Sequence, residues 1–166
     1  LNRSVIGFVI VTGAAVLYSK EYKAAYNQIH HKVSTVGDHS FYVACASLAM
    51  CNILDKFGIY THKKEMVLAA LCHDLGIIGR YEKYSSPMQT LNEHPIDSVE
   101  VSRELLGNDA NELTDDIIAH HMWPAKSGMP RSLEGFIITV ADKYCAIMET
   151  VFMKRMPRVE EYFARV

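Results

Sequence analysis

His39, the adjacent pair His73-Asp74, His94, the doublet His120-His121 and Asp142 are the residues whose types can do chemistry together. Imidazole and carboxylate donors in one set suit Fe, Mn, Co, Ni or Zn, whereas Mg and Ca favour all-oxygen sites. Any one histidine on a helix is ordinarily a core or surface residue, and Asp142 alone reads equally well as a buried acid paired with Lys143 or an arginine. The argument therefore rests on the set. Neighbours at a helix end point about 100° apart. That is wrong for two ligands on one helix face. It suits an Asp74 that reaches across two metal ions while His73 binds one of them. His120-His121 can likewise serve a second ion or the rim of the site. His30, His31 and His62 lie among Lys and Glu and read as solvated.

Side chains so far apart in sequence meet only if helices carry them to one place, as in bundle cores. Apolar residues recur at three- and four-residue steps, and nothing alternates with period two long enough to require a sheet. The predicted class is all-α. A first helix is predicted from about Ser4 to Gln28. Asp38 is read as the cap of a second, which Gly58 ends in a left-handed conformation. Thr61 opens a third that closes at Gly76, with His73-Asp74 in its last turn. Residues 76–92 read as a loop, and Pro95 as the first position of a fourth helix that stops at Gly107. Thr114 caps a fifth, which Pro124 ends close behind His120-His121. Ser132 caps a long helix to about Met153, and Pro157 starts a last short one.

With 166 residues, 49% of them hydrophobic and 22% charged, the chain has the balance of one globular domain rather than a disordered segment. Lys and Arg number 17 against 19 Asp and Glu, a net charge of −2, so no basic excess supports general nucleic-acid binding. Cys45, Cys51, Cys72 and Cys145 form no CxxC pair and sit among apolar neighbours, which fits buried thiols in a reducing, cytoplasmic compartment. Val5 to Tyr18 is nearly all apolar. It is short for a membrane span of about 20 residues and reads as a helix buried on most sides. A signal-peptide core, or the anchor of a longer chain, is the alternative. The same helix can pack internally or pair with a second copy in a homodimer.

The order His…His-Asp…His…His-His…Asp resembles the HD-domain superfamily of metal-dependent phosphohydrolases. The resemblance is carried by GDHSFYVA, LAALCHDLG, EHPIDSVEVSRELL, IIAHHMWP and ITVADKYCAIMET, from Asp38 to Glu149. It is closer to small bacterial HD proteins with HMWP and ADKYC…E near the end. It implies one HD-type helical bundle over residues 1–166, with a metal centre in a core at 38–149 and the apolar helix of 1–30 packed on or flanking it. The chain is also partly similar to the HD-GYP phosphodiesterases of cyclic di-GMP. Ser127, Gly128 and Pro130 match their Asp-Gly-Ser-Gly-Tyr-Pro loop, but Ala125, Lys126 and Met129 do not. Their lysine after the His-Asp glycine is also missing, with Arg80 the nearest cation. Both departures count against cyclic di-GMP.

The resemblance implies hydrolysis of a phosphate mono- or diester, a nucleotide among the candidates, by a metal-activated water. His39, His73, Asp74 and Asp142 are expected to hold the first divalent transition-metal ion. Asp74 would bridge to a second about 3.5–4 Å away, completed by His94, His120 and His121. Asp74 and Lys143 are the expected catalytic residues, Lys143 as a phosphate contact or leaving-group stabiliser, or instead as an orienter of its ligand neighbour. Arg80, Lys126 and Arg131 are the candidates for holding substrate. Tyr81 and Trp123 can stack on a base, although packing beneath a helix end is the plainer role for Trp123. Two other classes fit the same residues: an HD-type di-iron oxygenase and a metal-holding regulatory module without turnover.

Overall fold

The structure, a computed structural model, describes residues 2–154. Helices α1 (Arg3–Thr12), α2 (Ala14–Leu17), α3 (Lys20–Ala25), α4 (Val36–Asp55) and α5 (Lys63–Cys72) come first. A 3₁₀ turn at Leu75–Ile77 leads to α6 (Arg80–Lys83), α7 (Pro87–Leu106), a second 3₁₀ turn at Gly107–Asp109, α8 (Glu112–His120) and α9 (Leu133–Thr150). No strand occurs among the described residues, and Ile29 and Thr35 share an isolated antiparallel bridge. The fold is all-α, as the periodicity predicts.

Capping chemistry sets the helix starts. Thr35, not Asp38, caps α4: its Oγ1 accepts the Asp38 N–H at 3.1 Å and donates to the Asp38 carboxylate at 2.9 Å. Asn111, not Thr114, caps α8, and the two residues answer each other in a capping box. In both helices the residue read as the cap is its partner three positions on. The two places use the same short polar side chains, so sequence alone exchanges them readily. Ser132 caps α9 as predicted, and Gly58 has the predicted left-handed φ of 75°. Pro157 lies outside the described residues.

Two predicted boundaries move further. The single N-terminal helix is broken at Gly13 and again before Ser19, which caps α3. A Cβ on Gly13 would lie 2.2 Å from Leu71 Cδ1, so the chain passes too close to α5 for a side chain there. Second, α7 begins eight residues before Pro95, with Ser86 as its cap and Pro87 in the first turn. Pro95 is an interior residue of that helix. Cap and proline together at 86–87 make the better helix start, and much of the predicted loop is helical.

α4 runs through the middle, with α5 and α9 against it; α8 packs on α5 and α9, and α7 on α8 and on the Leu75–Ile77 turn. Phe41, Leu48, Leu71, Ile117 and Ile138 fill the shared core. Val5, Ile6, Val9, Val16 and Leu17 add the inner face of the N-terminal helices to it. No helix among the described residues is long and apolar enough to cross a membrane. The four cysteines are free and buried. Burial pushes their thiols up, to about 12 for Cys45, so they stay protonated.

The turn after the His-Asp pair lies tightly on α7. The Gly76 N–H donates to Ser98 Oγ at 2.9 Å. A Cβ at Gly76 would stand 2.4 Å from the Ser98 nitrogen and 2.6 Å from the His94 oxygen. Those are backbone atoms that cannot rotate aside. Gly76→Ala is therefore expected to cost about 3 kcal/mol, the upper end of ordinary overpacking. Urea unfolding should show it as a lower midpoint at an unchanged slope.

Candidate metal centre

Most of the imidazoles in this region are aimed by their own helix. Nδ1 of His73 donates to the Ala70 carbonyl at 2.8 Å, His94 to Thr90 at 2.7 Å, His120 to Asp116 at 2.9 Å and His121 to Ile118 at 2.7 Å. A carbonyl only accepts, so each Nδ1 carries a proton, and the tautomer this selects for the neutral ring has its lone pair on Nε2. Donation of the other ring nitrogen to a carbonyl is the usual support of a metal-ligating histidine.

Three of these Nε2 atoms face Asp74, which turns out of the end of α5 and is buried. Asp74 Oδ2 lies 3.4 Å from His73 Nε2. Its other oxygen, Oδ1, lies 3.4 Å from His94 Nε2 and 3.5 Å from His121 Nε2. Those two nitrogens are 3.1 Å from each other. In that tautomer two lone pairs and a carboxylate oxygen converge on one point. Ligands of a tetrahedral ion with bonds of about 2.0–2.1 Å stand about 3.3 Å apart, and this triangle matches that spacing.

On the other side of Asp74, Asp142 Oδ1 lies 3.0 Å from His39 Nε2 and 3.8 Å from His73 Nε2. His73 Nε2 is buried and has no hydrogen-bond partner. His39, His73 and Asp142, and separately His73, Asp74 and His121, are spaced closely enough to share an ion. The donor set and the orphaned nitrogen fit a transition-metal centre.

Charge in the cluster is finely opposed. Burial works to lower the basicity of His39, but its hydrogen bonds to Asp142 and Glu149 and their charges outweigh that and raise its pKa to about 10. Burial works to raise Asp74, yet the imidazoles of His73, His30 and His121 around it hold it well below the usual carboxylate range. Burial lowers His121 to about 4. Asp74 and Asp142 are thus charged, and His121 is neutral at ordinary pH.

Six of the seven expected ligands, His39, His73, Asp74, His94, His121 and Asp142, converge here. His120 does not. It follows the helical rotation away from His121, and its Nδ1 rests on the Asp116 carbonyl and carboxylate, both at 2.9 Å. Its ring lies against Gly128. Lys143 Nζ is engaged by Asp142 Oδ2 at 2.6 Å and the His121 carbonyl at 3.2 Å. It ties α9 to the end of α8 and leaves Asp142 Oδ1 to the histidines. Arg80 borders a cavity beside the centre. Lys126 is exposed on the turn after α8 and takes part in none of these contacts. Arg131 is 84% exposed, 3.9 Å from Asp116 Oδ1, in a groove with His120. Trp123 packs edge-to-face on Phe136 at 5.7 Å.

His30 and His31 correct the sequence reading. His30 Nε2 lies 3.1 Å from Asp74 Oδ2, and its Nδ1 is buried without a partner. The two rings are 3.8 Å apart, each 4.9 Å from His39. Gln28 delivers this loop: its amide donates to the Ile77 carbonyl at 2.8 Å and accepts the Gly79 N–H at 2.7 Å. His62 is 71% exposed, as predicted, although it also meets Glu134 at 2.9 Å.

Glu149 also went unassigned. Its Oε2 accepts from His39 Nδ1 at 2.9 Å. The available signal was its spacing of seven from Asp142, two helical turns along one face of α9. Glu149→Gln keeps an acceptor but removes the charge that supports the His39 imidazole. It is expected to weaken metal binding about tenfold, the mild end of such losses. Competition with a chelating indicator measures this, with unchanged helical circular dichroism as the control.

No curated protein and no solved structure matches the chain. The model of the HD domain family matches residues 36–147, about two thirds of the sequence. That span contains all six converging residues, and members of this superfamily bind divalent metals and are generally metal-dependent phosphohydrolases. The chain belongs to the HD domain family.

Proposed function

We propose that this protein hydrolyses a phosphate ester at a centre of two divalent transition-metal ions. The observation that carries the proposal is the disposition of Asp74, whose two oxygens face different imidazole sets. His39, His73, Asp74 and Asp142 would hold one ion, and Asp74, His94 and His121 the other. Bound there, the ions would supply Lewis acidity toward phosphate oxygens and make water more acidic.

The chain's own residues do the rest. Glu149 holds the His39 ring, and Lys143 fixes which oxygen of Asp142 faces inward. The helix carbonyls lock the remaining imidazoles in one tautomer. His30 and His31 stand between the centre and the adjoining cavity, where a substrate phosphate would enter. Their imidazole nitrogens are the nearest groups able to orient its oxygens.

The test is release of p-nitrophenol from bis-p-nitrophenyl phosphate and p-nitrophenyl phosphate by the chain with added Mn or Ni. Activity lost on chelation and restored by metal supports hydrolysis. A protein loaded with metal that releases none, or that consumes dioxygen with a candidate substrate instead, overturns it.

A further inference from the structure

Resting on that hydrolytic reading, we infer that the cavity beside the centre seats a flat aromatic ring on the carbon side of the phosphate ester. The substrate class is then a ring-bearing ester, a nucleoside or an aryl phosphate, rather than a polyphosphate or a short alkyl phosphate.

Position is the first reason. His30 and His31 form part of the wall. His30 also touches Asp74, at 3.1 Å. Thr90 lines the cavity too, and its carbonyl holds His94 Nδ1 at 2.7 Å. The space therefore adjoins groups that face both oxygens of the Asp74 carboxylate. A phosphate held there would direct its organic group into this cavity.

Size is the second. The cavity measures about 680 Å³. That is within the range of about 300–1,000 Å³ of small-molecule sites, and more than a methyl or ethyl group would use.

Lining is the third. Ile77, Tyr84, Pro87 and Leu91 give apolar walls, and Tyr81 lies 83% exposed at the rim. The hydroxyls present are already engaged: Ser85 donates to Gln89 Oε1 at 2.8 Å, Ser86 accepts the Gln89 N–H at 3.1 Å, and Thr90 donates to the Ser86 carbonyl at 3.2 Å. Among the described residues, Arg80 is the one lysine or arginine in the lining. Its guanidinium lies 4.9 Å from the Tyr81 ring centre and donates to the Ile29 carbonyl at 3.1 Å. A chain of phosphates would find a single counter-charge, already partly committed. A flat ring would find apolar walls and a stacked Arg–Tyr rim.

Binding of phosphonates, which are not hydrolysed, tests this on the full chain with its metal. Titration calorimetry with phenylphosphonate, a nucleoside 5′-phosphonate and methylphosphonate is the measurement. At least one ring-bearing ligand is expected to bind about tenfold more tightly than methylphosphonate, and the tighter of the two identifies the source of the ring. Leu91→Trp, a change at a 39% exposed position, and Tyr81→Ala should bring that ratio toward one. Equal affinities in the unaltered chain, or a ratio that survives both substitutions, overturns the inference. Ring preference without any ester hydrolysis removes the hydrolase reading and leaves the cavity's assignment standing. Hydrolysis without ring preference does the reverse.

Discussion

On the proposed two-ion hydrolytic reading, Asp74→Asn is expected to lower kcat/KM for phosphate-ester hydrolysis about 10³-fold, or about 4 kcal/mol of transition-state stabilisation, and to reduce the bound metal from two ions to at most one. The expectation follows from how the two carboxylate oxygens are used. Oδ2 faces His73, while Oδ1 faces His94 and His121. An amide offers a single acceptor, and its NH₂ end would point donors at one ligand set. One ion site would lose its anionic oxygen and the other its charge balance. Elemental analysis of the purified variant beside its steady-state kinetics checks both halves. Full metal content with full activity would show that Asp74 does not bridge.

Metal removal is expected to have the second large effect, on stability. The centre places unprotonated nitrogens of His94 and His121 3.1 Å apart and leaves His73 Nε2 buried without a partner. Buried polar atoms without partners cost about 1–3 kcal/mol each. A cation that binds only the folded chain removes that cost. At a free concentration about 1,000 times its Kd, one ion adds about 4.1 kcal/mol. For a domain near this size, 1 kcal/mol moves Tm by about 2–4 °C. Mn or Zn added to chelator-stripped protein should therefore raise Tm by about 10 °C. Calorimetry at several metal concentrations reads this, and Asp74→Asn should lose most of the rise. A Tm indifferent to every metal tried would mean that the cluster is held by its hydrogen bonds alone.

Much of the centre was legible before any coordinates. Which side chains can bind a transition metal is a property of residue type, so the donor set could be read directly. The all-α class was legible for a similar reason, because a 3.6-residue period is written into local composition. The starts of α4 and α8 were legible to within a capping box, Asp38 and Thr114 each standing three positions from the true cap, whereas the start of α7 lay eight residues before the predicted Pro95.

What the sequence determined by itself is therefore local: residue chemistry, helical period and capping partners, each set within a few neighbouring positions. Only the tertiary structure decided what depends on direction across the fold. It turned His121 into the cluster and His120 toward Asp116, because adjacent helical residues diverge by about 100° and packing chooses which faces inward. It brought His30 to Asp74 through Gln28, a contact between segments more than forty positions apart. It engaged Lys143 with Asp142, gave Glu149 to His39, and opened a cavity where α7 and the His30 loop leave a gap beside the centre. Such pairings leave no periodic trace, since they arise from how whole helices pack rather than from what stands beside each residue in the chain.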